Sequence, residues 1–213
     1  HSIVKRKMNI GRRRNKKPPK KYVCEEDSEE EEKSCLDDTI YNSGNKVYFY
    51  EDIYGESILK LKKVIEKISI ELGEIKTKYH TDPHIELHLY SNGGDVFVGL
   101  DMYNYIRQSS IPIYTYIDGM IASAATFIYL AGEKRFISDY NHVLIHQLST
   151  SFWGKYEDLM DEFSNSKSLM ECIRDLYKTN TKIPKTKLDN LLKRELLLNT
   201  EECLKYKVAT DRI

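Results

Sequence analysis

Three short stretches of this sequence carry residue types suited to nucleophilic chemistry. Ser123 lies in Gly119-Met120-Ile121-Ala122-Ser123-Ala124-Ala125, just after an apolar strand pattern and at the mouth of a run of small apolar residues. A helix start offers unpaired N–H groups and the positive end of the helix dipole. Both suit a nucleophile whose attack creates an oxyanion, although a serine at a helix start is also an ordinary cap. Ser91-Asn92-Gly93-Gly94 follows a strand pattern and precedes a helix pattern. Paired glycines let a backbone come close to a ligand and turn N–H groups toward an anion, or simply make a turn. His146 ends the apolar run Val143-Leu144-Ile145, where it reads as a general base or as a satisfied core histidine. The G-x-S-x-G elbow does not occur.

The elements that must position these residues can be read from periodicity. Val47–Tyr50 is β-branched and aromatic, a strand signal. Residues 57–72 place Ile58, Leu61, Ile65, Ile68 and Leu72 at helical spacing. His84–Tyr90 alternates as a strand, 98–106 reads as a helix, and 111–117 is a short apolar strand that Gly119 should break. A buried helix is expected over 122–130, and short strands over 135–137 and 143–145. A long amphipathic helix is expected over 156–177, with further helical signals at 184–192 and 200–206. Strands alternating with helices imply parallel strands joined by crossover helices, an α/β fold.

The N-terminus has a different character. A basic block from Lys5 to Lys21, broken by Pro18 and Pro19, is followed by an acidic block from Glu25 to Glu32. Such blocks bury too little apolar area to offset ordering entropy, so residues 1–38 are expected to form a disordered charged tail and 39–213 the folded domain. The tail reads as a solvated segment, a nuclear-import-like signal or a nucleic-acid contact. The chain opens on His1, and Met8 is a candidate natural start. The formal net charge is zero, which points to no strongly acidic or basic partner for the chain as a whole. No apolar run approaches a membrane span. The cysteines Cys24, Cys35, Cys172 and Cys203 show no Cys-x-x-Cys or zinc spacing, so free thiols in a reducing, intracellular and most simply cytoplasmic setting are expected. No metal site, cofactor site or nucleotide-binding phosphate loop is visible.

Taken together and in order, SNGG, GMIASAA and LIHQ resemble the proteolytic subunit of the Clp protease, and the resemblance covers about residues 46–213. It implies an α/β fold of the ClpP/crotonase-like kind, a spiral of ββα units with a protruding handle at about 149–179. It implies a serine endopeptidase that works on polypeptides inside a self-compartmentalised homo-oligomer, with heptameric rings paired into a tetradecamer. Ser123 would attack the scissile carbonyl and His146 would serve as general base. The backbone N–H groups of Gly94 and Ala124 would form the oxyanion hole. Gly93, Asp95, Val96, Leu148 and Ser149 would bind substrate, with Leu148–Lys155 as a strand that meets the substrate backbone. Trp153 would sit at the contact between rings or over the cleft.

The sequence departs from the family at the third triad member. Glu195 takes the place of the family's aspartate and is the candidate to orient His146, with Asp189 as the nearest substitute. At positions matching the family's docking sites for an ATP-dependent (AAA+) unfoldase, Glu86, His88, Gln108 and Ser138 are polar, while Tyr116 and Phe136 stay aromatic. These changes argue against docking of a standard unfoldase. They also motivate an alternative, a catalytically silent or weak subunit with a structural role in a mixed ring. Two further alternatives are a maturation protease of a viral particle and a crotonase-type enzyme acting on acyl-CoA.

Overall fold

The computed structural model describes residues 39–213, so the charged tail expected over 1–38, with Cys24 and Cys35, lies outside the described residues. The elements run β1 (Ile40–Ser43), β2 (Lys46–Phe49), α1 (Gly55–Tyr79), β3 (Ile85–Ser91), α2 (Val96–Arg107), β4 (Ile113–Ala122), α3 (Ala124–Ala131), β5 (Arg135–Ile137), β6 (His142–Leu144), α4 (Tyr156–Asn180), α5 (Lys185–Lys193), β7 (Leu197–Leu198), α6 (Thr200–Lys205) and β8 (Asp211–Arg212). The sheet runs β1-β2-β3-β4-β5-β8, with β6 against β4 and β7 against β6. β2, β3, β4 and β5 are parallel, as the alternation of strands and helices requires. β1 and β7 are antiparallel additions.

The alternation in β3 decides which face is which. Ile85, Leu87 and Leu89 are fully buried under the helices, while Glu86, His88 and Tyr90 face outward. The outward face is not bare. Tyr41, Tyr48, His88, Tyr116 and Phe136 stack ring on ring across five strands, with centroids 4.8, 4.9, 4.6 and 4.6 Å apart. Each pair is a cross-strand neighbour pair, the unit that stabilises a sheet.

Several expectations need correcting. Gly119 does not break its strand. β4 continues to Ala122, and Gly119 (φ 89°) is where it changes partners, from β5 over 115–117 to β6 over 120–122. Asn141 makes the exchange possible: its side-chain oxygen accepts from the Gly119 N–H (3.1 Å), and its amide donates to the Ile117 carbonyl (2.5 Å). Helix α1 runs seven residues past the expected 72, with Lys76 and Lys78 in its last turn complementing the negative end of the helix dipole. Leu148–Lys155 is not a strand in the single chain, because no neighbouring strand is present for it to pair with. Trp153 is fully exposed and covers no cleft. Among the described residues, no helix is long and apolar enough to cross a membrane, and Cys172 and Cys203 are free thiols.

Candidate active site

Ser123 occupies the junction between β4 and α3 with φ 54° and ψ −129°. A non-glycine residue holding such a conformation costs of order 1–3 kcal/mol and persists only where its surroundings enforce it. The serine stands at the N-cap position, yet its side chain makes no capping hydrogen bond. The ordinary reading as a helix cap therefore fails, and Oγ is free. On one side the Ser123 N–H donates to the Leu144 carbonyl of β6 (3.0 Å). On the other, Gly93 lies so close that a Cβ there would sit 2.6 Å from Ser123 Cβ, 2.7 Å from the Ala122 oxygen and 3.1 Å from the Ala124 nitrogen.

That contact brings the second motif to the first. Gly93 and Gly94 have φ of 96° and 147°, open to glycine alone. The Ile53 N–H donates to the Gly93 carbonyl (2.7 Å) and the Asp95 N–H donates to the Ile53 carbonyl (2.8 Å). The Gly94 N–H between them, and the Ala124 N–H at the first position of α3, have no acceptor among the described residues. A side chain on Gly94 would strike the Ile53 backbone. Asp95 caps α2, its carboxylate accepting from the Val98 N–H (3.0 Å). Gly99 of α2 then packs directly on Ala124, so small residues on both helices set the depth of the junction.

His146, half-buried, follows β6 and shares one cavity of about 250 Å³ with Ser123, Gly94, Val96, Leu148 and Ser149. Asn92, Phe127, Gln147 and Ile173 complete its walls. Among the described residues neither Ser123 Oγ nor the His146 ring has a hydrogen-bond partner, so the hydroxyl and the imidazole line the same cavity with no hydrogen bond between them. An adjoining groove of about 280 Å³ runs from Gly94, Asp95, Val96 and Phe97 along Leu148–Thr150 to Glu162, Asn165, Ser166 and Leu169 of α4. Four of the five residues expected to bind substrate (Asp95, Val96, Leu148 and Ser149) line this groove. Gly93 instead lies buried beneath Ser123.

Glu195, the candidate third acid, is not engaged. β6 and β7 pair Val143 with Leu198 and Leu144 with Leu197. Continuing that register sets Glu195 opposite His146. The ladder stops short because the Leu196 N–H turns back to the Arg194 carbonyl (3.0 Å), a γ-turn centred on Glu195. Pairing resumes where the Gln147 N–H donates to the Leu192 carbonyl (2.8 Å). Glu195 is exposed and makes no hydrogen bond to His146. Asp189 is committed elsewhere, its carboxylate accepting from Arg174 Nε at 3.2 Å.

Sequence reasoning missed Asn92 and Phe127 as cavity residues, and the pair behind Ser123. Thr126 and Tyr177 are both buried, with their hydroxyls 2.6 Å apart. A hydroxyl in a run of buried small residues was the available signal. On the outer sheet face Glu86, His88, Tyr116 and Phe136 lie together within the aromatic stack. His88 Nδ1 is 3.1 Å from both Asp118 oxygens, and the Tyr50 hydroxyl donates to Asp118 at 2.5 Å. Burial pushes the Asp118 pKa up, but hydrogen bonds from His88 and Tyr50 and the charges of His88 and Lys46 outweigh it and hold it below its ordinary value. Gln108 instead lines a separate cleft with Glu66 and Ile70 of α1. Among the described residues no cluster of three or more histidine, cysteine or acidic side chains is arranged to hold a metal.

Comparison with known proteins identifies the family. Residues 47–211 match the Clp protease family. The ATP-dependent Clp protease proteolytic subunit of Deinococcus radiodurans is 32% identical over 129 residues, 59% of this chain and 63% of that protein. The chain thus spans less than two thirds of that relative. The ATP-dependent Clp protease proteolytic subunit 2 of Treponema denticola is 30% identical over 157 residues, 71% of this chain and 78% of the other. A solved structure of a ClpP1 mutant from Listeria monocytogenes shares the fold, with a TM-score of 0.64 at 23% identity over 80% of this chain and 91% of that one.

Proposed function

The chain belongs to the Clp protease family, and from that premise we propose that it is a serine endopeptidase whose nucleophile is Ser123 and whose general base is His146. The observation that carries the reading is the Ser123 backbone itself. A non-glycine residue is held at positive φ, its hydroxyl is unused as a cap, and it opens into one cavity with an unbonded histidine. In the reaction His146 takes the Ser123 proton as Oγ attacks the scissile carbonyl. Gly94 and Ala124 N–H groups meet the developing oxyanion, and His146 returns the proton to the leaving amine. The groove of about 280 Å³ along Leu148–Thr150 and α4 is the proposed seat of an extended peptide, which would pair with the Leu148–Lys155 segment and make it a strand.

Assembly into rings is part of the proposal. Phe152, Trp153, Tyr156, Leu159, Met160 and Phe163 are exposed along the start of α4 and the segment before it. A contiguous apolar patch of that kind is characteristic of a surface covered by another chain. Polypeptides are the proposed substrates and the cytoplasm the proposed compartment. Residues 1–38 are proposed as a tail distinct from the 39–213 domain, and polar Glu86, His88, Gln108 and Ser138 argue against docking of a standard AAA+ unfoldase.

A second reading has one observation in its favour: among the described residues no acid engages His146, and Glu195 is exposed. On that reading the chain is a silent or weak subunit of a mixed ring. Labelling by a fluorescent fluorophosphonate separates the two. The peptidase reading expects wild type to label and Ser123→Ala and His146→Ala to lose more than about 10³-fold in rate. An assembled wild-type ring that does not label would establish the silent subunit instead.

A further inference from the structure

The carbonyl of Ser123 is held by a chain of hydroxyls that begins on a different helix. It accepts two hydrogen bonds from Thr126, from the N–H at 2.9 Å and from the hydroxyl at 2.6 Å. Thr126 Oγ1 in turn lies 2.6 Å from the Tyr177 hydroxyl of α4. The proton directions follow by elimination. A carbonyl can only accept, and a threonine hydroxyl has one proton, so Thr126 donates to Ser123 and Tyr177 donates to Thr126. Both side chains are about 1% exposed, so water does not compete for these bonds. The Tyr177 ring is fixed edge-on against Phe127, with centroids 6.0 Å apart, and its phenol pKa is raised by burial, which keeps the donor protonated.

Back-bonding from a threonine to the carbonyl three residues earlier is common in helices. What sets this one apart is the second donor behind it and the peptide it holds. The Ser123–Ala124 peptide bond is trans, so the Ser123 oxygen and the Ala124 N–H point in opposite directions from one rigid plane. Drawing the oxygen onto Thr126 aims the Ala124 N–H the opposite way, at the start of α3 where its nitrogen lies against the Gly93–Gly94 turn, the side on which an oxyanion formed on Ser123 would need it. We propose that Thr126 and Tyr177 are positioning residues, a two-hydroxyl strut from α4 that sets the Ser123–Ala124 peptide plane and so the oxyanion donor. The proposal rests on the reading of Ser123 as nucleophile. It also makes the seating of α4 part of the geometry of the site, because the strut's outer end rides on that helix.

The test uses the full-length protein and four variants: Thr126→Val, which keeps the shape and removes the hydroxyl, Thr126→Ser, which keeps the hydroxyl, Tyr177→Phe, and the Thr126→Val/Tyr177→Phe pair. On a fluorogenic peptide, kcat is expected to fall about tenfold in Thr126→Val and Tyr177→Phe with KM within twofold. That loss is smaller than the 10²–10³-fold of removing an oxyanion donor outright. Thr126→Ser is expected to stay within about twofold of wild type, and the pair to be no worse than Thr126→Val alone, since one strut can be lost only once. Hydrogen exchange of the peptide spanning residues 120–127 should quicken in Thr126→Val and return to the wild-type rate in Thr126→Ser. A kcat unchanged by Thr126→Val in a wild-type background that labels with fluorophosphonate overturns the strut and leaves the nucleophile standing. KM rising in step with the loss of kcat/KM overturns it too. If wild type does not label, the nucleophile reading falls, and exchange alone decides whether the strut holds the peptide: equal rates in wild type and Thr126→Val refute it.

Discussion

Gly93→Ala tests whether the glycine turn and Ser123 are built against each other. The added methyl must fit at φ 96°, where a Cβ costs roughly 1–2 kcal/mol. It must also displace Ser123 Cβ from 2.6 Å and the Ala122 oxygen from 2.7 Å, overpacking that adds about 1–3 kcal/mol. The total is about 2–5 kcal/mol. Gly44 is the matched control, because its φ is 59° and nothing lies within 4 Å of its would-be Cβ. Gly44→Ala should therefore lose only the backbone part, about 1–2 kcal/mol. Urea denaturation at matched protein concentration reads both, with Gly93→Ala the lower midpoint and an unchanged slope. Because the methyl pushes on Ser123 itself, fluorophosphonate labelling of the folded Gly93→Ala protein should also slow at least about tenfold, while Gly44→Ala labels as wild type does. Equal midpoints and equal labelling for the two variants would refute the contact between the motifs.

Three further outcomes are expected. Glu195→Gln should lower kcat by about 10²–10⁴-fold, whereas Asp189→Asn, which loses only its pairing with Arg174, should leave kcat near wild type; the reverse order would move the third role to Asp189. Native alkylation followed by peptide mapping should modify exposed Cys172 and spare Cys203, whose thiol pKa burial pushes up to about 12, until the protein is unfolded. For Asp118 the folded pKa is depressed, so its stabilisation is present above the unfolded carboxylate value and is lost as pH falls through the folded one. The stability gap between wild type and Asp118→Asn should accordingly be open at pH 6 and close below about pH 4; a gap that widens on acidification would show that the carboxylate is not stabilised by His88 and Tyr50.

Much of the architecture was legible because it rests on period and composition. The buried face of α1 repeats every three to four residues, and β3 alternates without a lapse. The order of strands and helices then dictated parallel pairing. What escaped was set by partners distant in sequence. β7 and β8 are two residues each, too short to carry a period, and exist because β6 and β5 offer them edges. Gly119 looks like a breaker locally and becomes a partner switch only because Asn141 reaches back across 22 residues. Ser123, His146 and the glycine turn were each ambiguous alone. Their order along the chain singled them out, and the structure puts Gly93 against Ser123 and His146 in the same cavity. The strut behind Ser123 was invisible because Thr126 and Tyr177 are 51 residues apart, and nothing local marks one for the other.

The identity of the third acid turns on the same kind of non-local constraint. An aspartate on a regular β7 extension would stand directly across from His146. Here the chain is anchored to the β6 side at Leu197 and again at Leu192, and between those anchors the γ-turn lifts residue 195 out of the ladder. A backbone that has drawn back needs a longer side chain to span the same gap, and glutamate supplies one more methylene than aspartate. On the reading that Glu195 orients His146, the substitution and the turn are compensating parts of one arrangement rather than two independent departures from the family. It follows that Glu195→Asp, although it restores the family's residue type, should not raise kcat above wild type and should fall toward the Glu195→Gln value. A Glu195→Asp protein faster than wild type would mean that the turn straightens in the working assembly and that glutamate, not the loop, limits the rate.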